Sequence, residues 1–187
     1  MDAKNSTFAV TLSRVPLTVT FCATQIFVDR PLLPCAALFA TVAATDFLDG
    51  RIARRRGVQS DAGAVLDVVC DFFFIASACF VLWLQGLLPW WILATIALKF
   101  SEFWSTSALF RRRDRRKPVF VSDPVGRAVA ALFYLLPIST LAFRAVLSDS
   151  VFEAAVVVSS ASTTMLALAS SMFRLSSSIR RKEDVNE

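Results

Sequence analysis

The stretch Thr45–Phe74, TDFLDGRIARRRGVQSDAGAVLDVVCDFFF, places four of its five aspartates in two apolar segments that flank a short polar turn. Asp46 and Asp49 are three residues apart, and Asp67 and Asp71 are four residues apart. At either spacing two side chains fall on one face of a helix. The two pairs also lie at matched distances from the turn, so an antiparallel helix hairpin would bring all four carboxylates to one depth, roughly 12–20 Å from its tip.

Four carboxylates gathered inside an apolar bundle would repel one another and would be costly to remove from water. Protonation could relieve this repulsion, and so could hard divalent cations, for which carboxylate oxygens are preferred ligands. The sequence has no histidine, and its four cysteines lie in apolar segments without Cys-x-x-Cys spacing. We therefore expect an all-oxygen site holding two Mg²⁺ or Mn²⁺ ions about 3.5–4 Å apart, which would bind a pyrophosphate.

Hydrophobic residues make up 56% of the chain, above the roughly 45–50% of soluble domains. They fall in blocks of about twenty residues, the length that a helix needs to cross a bilayer. We predict an all-α integral membrane protein: one domain over 1–187, a bundle of six transmembrane helices with a cytoplasm-facing polar cavity. The predicted helices are 7–28, 32–56, 61–85, 88–110, 126–147 and 151–174, followed by a polar cytoplasmic tail at 175–187.

The net charge of +5 is unevenly placed along the chain. Basic residues gather at 51–56, in the 111–117 tract RRRDRRK and at 180–182, whereas the opposite side would hold only Arg30 and Arg144. Cytoplasmic loops of membrane proteins carry such an excess of Lys and Arg. We therefore expect both termini and the active site to face the cytoplasm, in a cytoplasmic membrane of bacterial type. No aromatic residues interleave with the basic tract, so we expect no nucleic acid partner.

From Asp46 to Asp71 the residues read D-x2-D-G-x2-A-R-x8-G-x3-D-x3-D, which resembles the signature of the CDP-alcohol phosphatidyltransferase (CDP-alcohol phosphotransferase) family at every fixed position. Thr11–Arg14, TLSR, is similar to the family's usual opening before the first helix. The resemblance implies a divalent-metal-dependent enzyme of phospholipid biosynthesis in contact with membrane lipids. Its reaction would transfer the phosphatidyl group of CDP-diacylglycerol to a small polar alcohol and release CMP.

The same resemblance implies roles for single residues. The implied metal ligands are Asp46, Asp49, Asp67 and Asp71. Asp71 would also be the catalytic base that accepts the proton of the acceptor hydroxyl. The implied CDP-alcohol-binding residues are Gly50, Ala53, Arg54 and Gly63. The glycines also allow a ligand close to the backbone, and Arg54, one turn beyond Gly50, is placed to hold a phosphate oxygen. Many relatives are homodimers, so the resemblance implies a homodimer here.

The residues that select the acceptor are less clearly marked. Candidate acceptor-binding residues are Arg127, Arg111, Arg112 and Glu102. A glutamate within a membrane helix is a functional candidate, and several arginines at one pocket mouth suit a phosphorylated ligand. We expect glycerol 3-phosphate or another phosphorylated polyol as the acceptor.

Two alternatives stay open at the level of sequence. A CDP-choline or CDP-ethanolamine type of phosphotransferase would use diacylglycerol as the acceptor. A protein of another class would use the intramembrane carboxylates as an ion or proton pathway. That second alternative leaves the spacing of the glycines, the alanine and the arginine in the signature without an explanation.

Overall fold

The structure, a computed structural model, describes the backbone of residues 3–56, 61–113 and 124–183 and the side chains of residues 13–45, 65–105 and 125–173. Within these ranges the chain forms six α-helices and no strand. The helices are α1 (Ala3–Phe27), α2 (Leu32–Arg56), α3 (Asp61–Leu84), α4 (Trp90–Arg113), α5 (Pro124–Val146) and α6 (Asp149–Glu183). The predictions of an all-α fold and of six helices in this order are confirmed.

The helix ends agree with the predicted bounds to within four residues, except at the end of the chain. The predicted end of the last helix at 174 is wrong, because α6 continues to Glu183. The prediction equates the end of the helix with the end of the apolar block. A helix can continue beyond that point, because serine and basic residues can also adopt helical structure. The last turns of α6 include Arg180 and Arg181, and positive charge is favourable near a helix C-terminus.

Three helical segments in the described part of the chain are long and apolar enough to cross a membrane by length and composition. They are Val65–Leu84, Val125–Val146 and Asp149–Phe173, and the first of them has a mean hydropathy of 2.3. Leu32–Thr45 is a shorter apolar helical segment.

The centre of α3 is the middle of the bundle. α1 packs against α2 and α3, α5 packs against α2, α3 and α6, and α4 packs against α3 and α6. The ring of Phe74 on α3 lies 5.2 Å from the ring of Phe21 on α1 and 5.2 Å from that of Tyr134 on α5. Tilted aromatic contacts at such distances stabilise a core beyond the area that they bury. Asp71 lies one turn before Phe74, so this packing fixes the height and rotation of the acidic segment of α3.

The short connections between α3 and α4 and between α5 and α6 lie at the opposite end of the bundle from the acidic segment. Gly86 in the first connection has a φ of 72°, which favours glycine. In the second, Arg144 donates to the carboxylate of Asp149, and its guanidinium lies 5.5 Å from the ring centre of Phe152. The positive charge of Arg144, on the predicted outer side, is thus offset by the nearby carboxylate of Asp149.

Candidate active site

Asp67 and Asp71 lie one turn apart on α3 and meet a common partner from α1. Nη1 of Arg14 donates to Oδ1 of Asp67 at 2.7 Å and to Oδ1 of Asp71 at 2.9 Å. The Arg14 side chain is 2% exposed, whereas those of Asp67 and Asp71 are 44% and 36% exposed. The two carboxylates therefore converge, as their spacing predicts, with a buried cation behind them and an accessible side in front.

The other predicted residues of the signature have described backbones, but their side chains lie outside the described part of the chain. They are Asp46, Asp49, Gly50, Ala53, Arg54 and Gly63. The same holds for Arg111 and Arg112 of the predicted acceptor-binding set. The predicted convergence of all four aspartates therefore stays a prediction.

Among the described side chains there is no group of three or more potential metal ligands. The two described members of the predicted set, Asp67 and Asp71, have converging Oδ1 atoms on one helix face. Their ligand chemistry fits Mg²⁺ or Mn²⁺, because both offer carboxylate oxygen and no soft donor.

A cavity of about 270 Å³ opens beside Asp71, between α3, α4 and α5. Its charged lining groups are Asp71, Lys99 and Arg127, and most of its remaining wall is apolar or aromatic. Arg127 is exposed and belongs to the first turn of α5, where the helix dipole adds positive potential. A small apolar pocket with a few convergent charged groups is the usual form of a site for a small polar ligand.

Lys99 is held at the wall of this cavity by a polar network between α4 and α6. Its ammonium donates to Oε2 of Glu102 at 2.9 Å, to Oγ of Ser171 at 3.2 Å and to Oγ of Ser170 at 3.4 Å. Ser171 in turn donates to Oε2 of Glu102. Glu102, predicted as an acceptor-binding residue, is thus the ion-pair partner of Lys99, while Lys99 itself lines the cavity.

Arg14 and Lys99 are the site residues that the sequence-based prediction did not include. A signal for each is present in the sequence. Arg14 is a basic residue within an apolar block, and Lys99 and Glu102 form an i, i+3 pair of opposite charge within another. Charged residues inside membrane helices are rare and usually functional.

An open apolar groove of about 690 Å³ runs along α1, α3 and α4. Its walls include Val19 and Phe27 of α1 and Phe80 of α3. Phe72 and Ile96 line both the groove and the cavity beside Asp71. The polar site and the apolar groove therefore share a wall.

Comparisons with known proteins agree with these observations. The family described as CDP-alcohol phosphatidyltransferase matches residues 5–173. The chain is 34% identical over 109 residues to "Probable phosphatidylglycerophosphate synthase" of Mycobacterium tuberculosis, covering 55% of this chain and 50% of that relative. It is 40% identical over 83 residues to "CDP-diacylglycerol--glycerol-3-phosphate 3-phosphatidyltransferase" of Pectobacterium atrosepticum, covering 44% of each. These matched segments span about half the length of the curated relatives.

Proposed function

This chain belongs to the CDP-alcohol phosphatidyltransferase family, and we propose that it transfers the phosphatidyl group of CDP-diacylglycerol to glycerol 3-phosphate or another phosphorylated polyol, with release of CMP. The observation that carries the choice of acceptor is the cavity that Asp71 lines together with the cations Lys99 and Arg127. A phosphorylated alcohol would place its hydroxyl at the carboxylate and its phosphate at the cations. The name of the Pectobacterium relative, which includes glycerol 3-phosphate, supports the same choice.

Membership of a family of membrane enzymes and the three long apolar helices make this a membrane protein. Six membrane crossings, cytoplasmic termini and a cytoplasm-facing active site in a bacterial-type membrane are part of the proposal. The basic residues in the last turns of α2, between α4 and α5 and at the end of α6 support this orientation. A homodimer is likewise proposed.

Enzymes of this family are generally divalent-metal dependent, and the proposed ligands are the four aspartates of the signature. Asp67 and Asp71 would contribute from α3, and Asp46 and Asp49 from α2. Mg²⁺ or Mn²⁺ held there would offset negative charge on the pyrophosphate as its bond breaks.

In the proposed reaction, Asp71 accepts the proton of the acceptor hydroxyl. The acceptor oxygen forms a bond to the phosphorus that carries the diacylglycerol, and the bond from this phosphorus to the bridging oxygen breaks, so CMP leaves with that oxygen. Arg127 and Lys99 would hold the acceptor phosphate, and this orients the hydroxyl towards Asp71. On the donor side, Arg54 would contact the pyrophosphate, and Gly50 would allow the nucleotide close to the helix backbone.

The groove along α1, α3 and α4 is proposed to hold an acyl chain of the donor. The groove is almost entirely apolar, and it adjoins the cavity through Phe72 and Ile96. A lipid donor needs such an arrangement, because its reactive phosphate must lie at the aspartates while its chains stay in an apolar environment.

The proposal is tested by incubating the purified protein with CDP-diacylglycerol, Mg²⁺ and one acceptor at a time. The panel is glycerol 3-phosphate, inositol phosphate, glycerol, serine and diacylglycerol. We expect CMP release only with a phosphorylated acceptor, together with the matching phospholipid in the mass spectrum of the products. CMP release with serine or glycerol alone would refute the choice of acceptor. Activity with CDP-choline and diacylglycerol would favour the alternative phosphotransferase, and no CMP release with any donor would refute the enzyme itself.

A further inference from the structure

We propose that Arg14 is a built-in counter-ion of the active site, which keeps the carboxylates of Asp67 and Asp71 together before any metal binds. The inference rests on the proposed function in one respect, that the same carboxylates bind divalent metal. It assigns Arg14 a positioning role, since its guanidinium contacts two site carboxylates from behind.

The burial of the three groups supports this role. Arg14 is almost wholly buried, whereas the two aspartates that it contacts are partly exposed. A guanidinium stays protonated in proteins, so the positive charge is permanent. Nη1 of Arg14 binds one oxygen of each carboxylate, and both aspartates remain partly exposed.

The packing of α1 on α3 fixes where Arg14 can reach. Seven residues further along both helices, Phe21 contacts Phe74 with ring centres 5.2 Å apart. Arg14 is paired with Asp67 in the same register, so α1 and α3 run parallel and meet at two successive points. Both Phe21 and Phe74 are buried, and this contact holds the arginine at the height of the acidic residues.

Electrostatics explains why such a cation is useful. Two carboxylates one helical turn apart repel each other, and a low-dielectric bundle strengthens that repulsion. A protein without Arg14 would lose a buried positive charge that contacts both carboxylates. With Arg14 present, the pair stays converged in the metal-free protein, so less reorganisation is needed when metal binds.

The test compares thermal unfolding of the full chain, purified in detergent, in EDTA and in saturating Mg²⁺. Arg14→Met removes the charge but keeps a long apolar stem, and Arg14→Lys keeps a charge on a shorter side chain. We expect Arg14→Met to lower the Tm by about 5–10 °C in EDTA, and by less than half of that in Mg²⁺, since the metal supplies the missing positive charge. Arg14→Lys should lie between Arg14→Met and the wild type in EDTA.

Arg144→Met is the matched control, because Arg144 also pairs with an aspartate but lies at the other end of the bundle. Its Tm should change equally in EDTA and in Mg²⁺. An equal loss of Tm for Arg14→Met in both buffers would mean that Arg14 only fills space, and would overturn the inference. If Arg14→Met does not fold, Arg14→Met combined with Asp67→Asn removes one negative charge as well. That double variant should fold in EDTA and show a cooperative thermal transition. Its failure to fold would also overturn the inference.

The outcomes separate this inference from the proposed function. Wild-type protein that releases CMP in Mg²⁺, together with an Arg14→Met variant whose loss of Tm is the same with and without metal, refutes the role of Arg14 alone. Wild-type protein whose Tm does not respond to Mg²⁺ and which releases no CMP refutes the proposed function.

Discussion

Arg127→Ala is expected to weaken binding of the acceptor and to leave binding of the donor nearly unchanged. Arg127 lies in the first turn of α5 and shares the cavity wall with Asp71. Among the described residues it has no ion-pair partner. The donor is proposed to bind at the signature on α2 and α3.

The size of the effect follows from the exposure of Arg127. A hydrogen bond to a charged group contributes about 1.5–3 kcal/mol. Arg127 is exposed, and water screens part of its attraction for a phosphate, so the lower end of that range applies. A loss of about 1.5 kcal/mol corresponds to about a tenfold rise in the acceptor KM, since each factor of ten is about 1.4 kcal/mol.

The assay measures CMP release at fixed CDP-diacylglycerol and varied glycerol 3-phosphate, and then with the two substrates exchanged. Arg144→Ala is the control on the same helix, because Arg144 lies in its last turn, away from the cavity. We expect a wild-type acceptor KM for Arg144→Ala and about a tenfold higher one for Arg127→Ala. An acceptor KM within twofold of the wild type, or an equal rise in the donor KM, would refute this assignment of Arg127.

Three further outcomes are expected. Asp67→Asn should lose activity in part and regain some with excess Mn²⁺, whereas Asp71→Asn should lose turnover that metal does not restore; near-normal kcat for Asp71→Asn would exclude it as the base. Ser171→Ala should raise the acceptor KM by about twofold to fivefold, because Lys99 loses one hydrogen-bond partner, and an unchanged KM would exclude a role for that network in binding. Single cysteines placed in the 111–117 tract should be labelled only from the cytoplasmic side, and labelling from outside would reverse the proposed orientation.

The sequence predicts much of this fold because long apolar helices are marked by composition alone. Apolar blocks of suitable length and the basic residues between them give six helices in the right order. The convergence of Asp67 and Asp71 is also predictable, since their spacing depends only on helix geometry. The end of α6 is not predictable in this way. The residues beyond Phe173 are mostly polar, and this composition is compatible both with more helix and with an irregular tail.

Contacts between helices that are far apart in the sequence cannot be predicted from periodicity. Arg14 meets Asp67 across 53 residues of chain, and Lys99 meets Ser171 across 72. Each contact depends on the height and rotation of two helices, which the packing of the whole bundle determines. The sequence marks Arg14 and Lys99 as unusual for an apolar helix, but it does not name their partners.

These pairings indicate which basic side chain can bind the phosphate of a substrate. A charge inside a bundle of apolar helices is costly unless it is paired. Arg14 is paired with two aspartates across α1 and α3, and Lys99 is paired with Glu102 and hydrogen-bonded to α6. Arg127 lies where the cavity meets solvent, so it can keep its charge without an internal acid. Among the described side chains, a phosphate that enters the cavity would therefore meet Arg127 as a cation without an ion-pair partner, whereas the positive charge of Lys99 is offset by Glu102. This is why the substitution of Arg127 is the sharper test of whether the acceptor carries a phosphate.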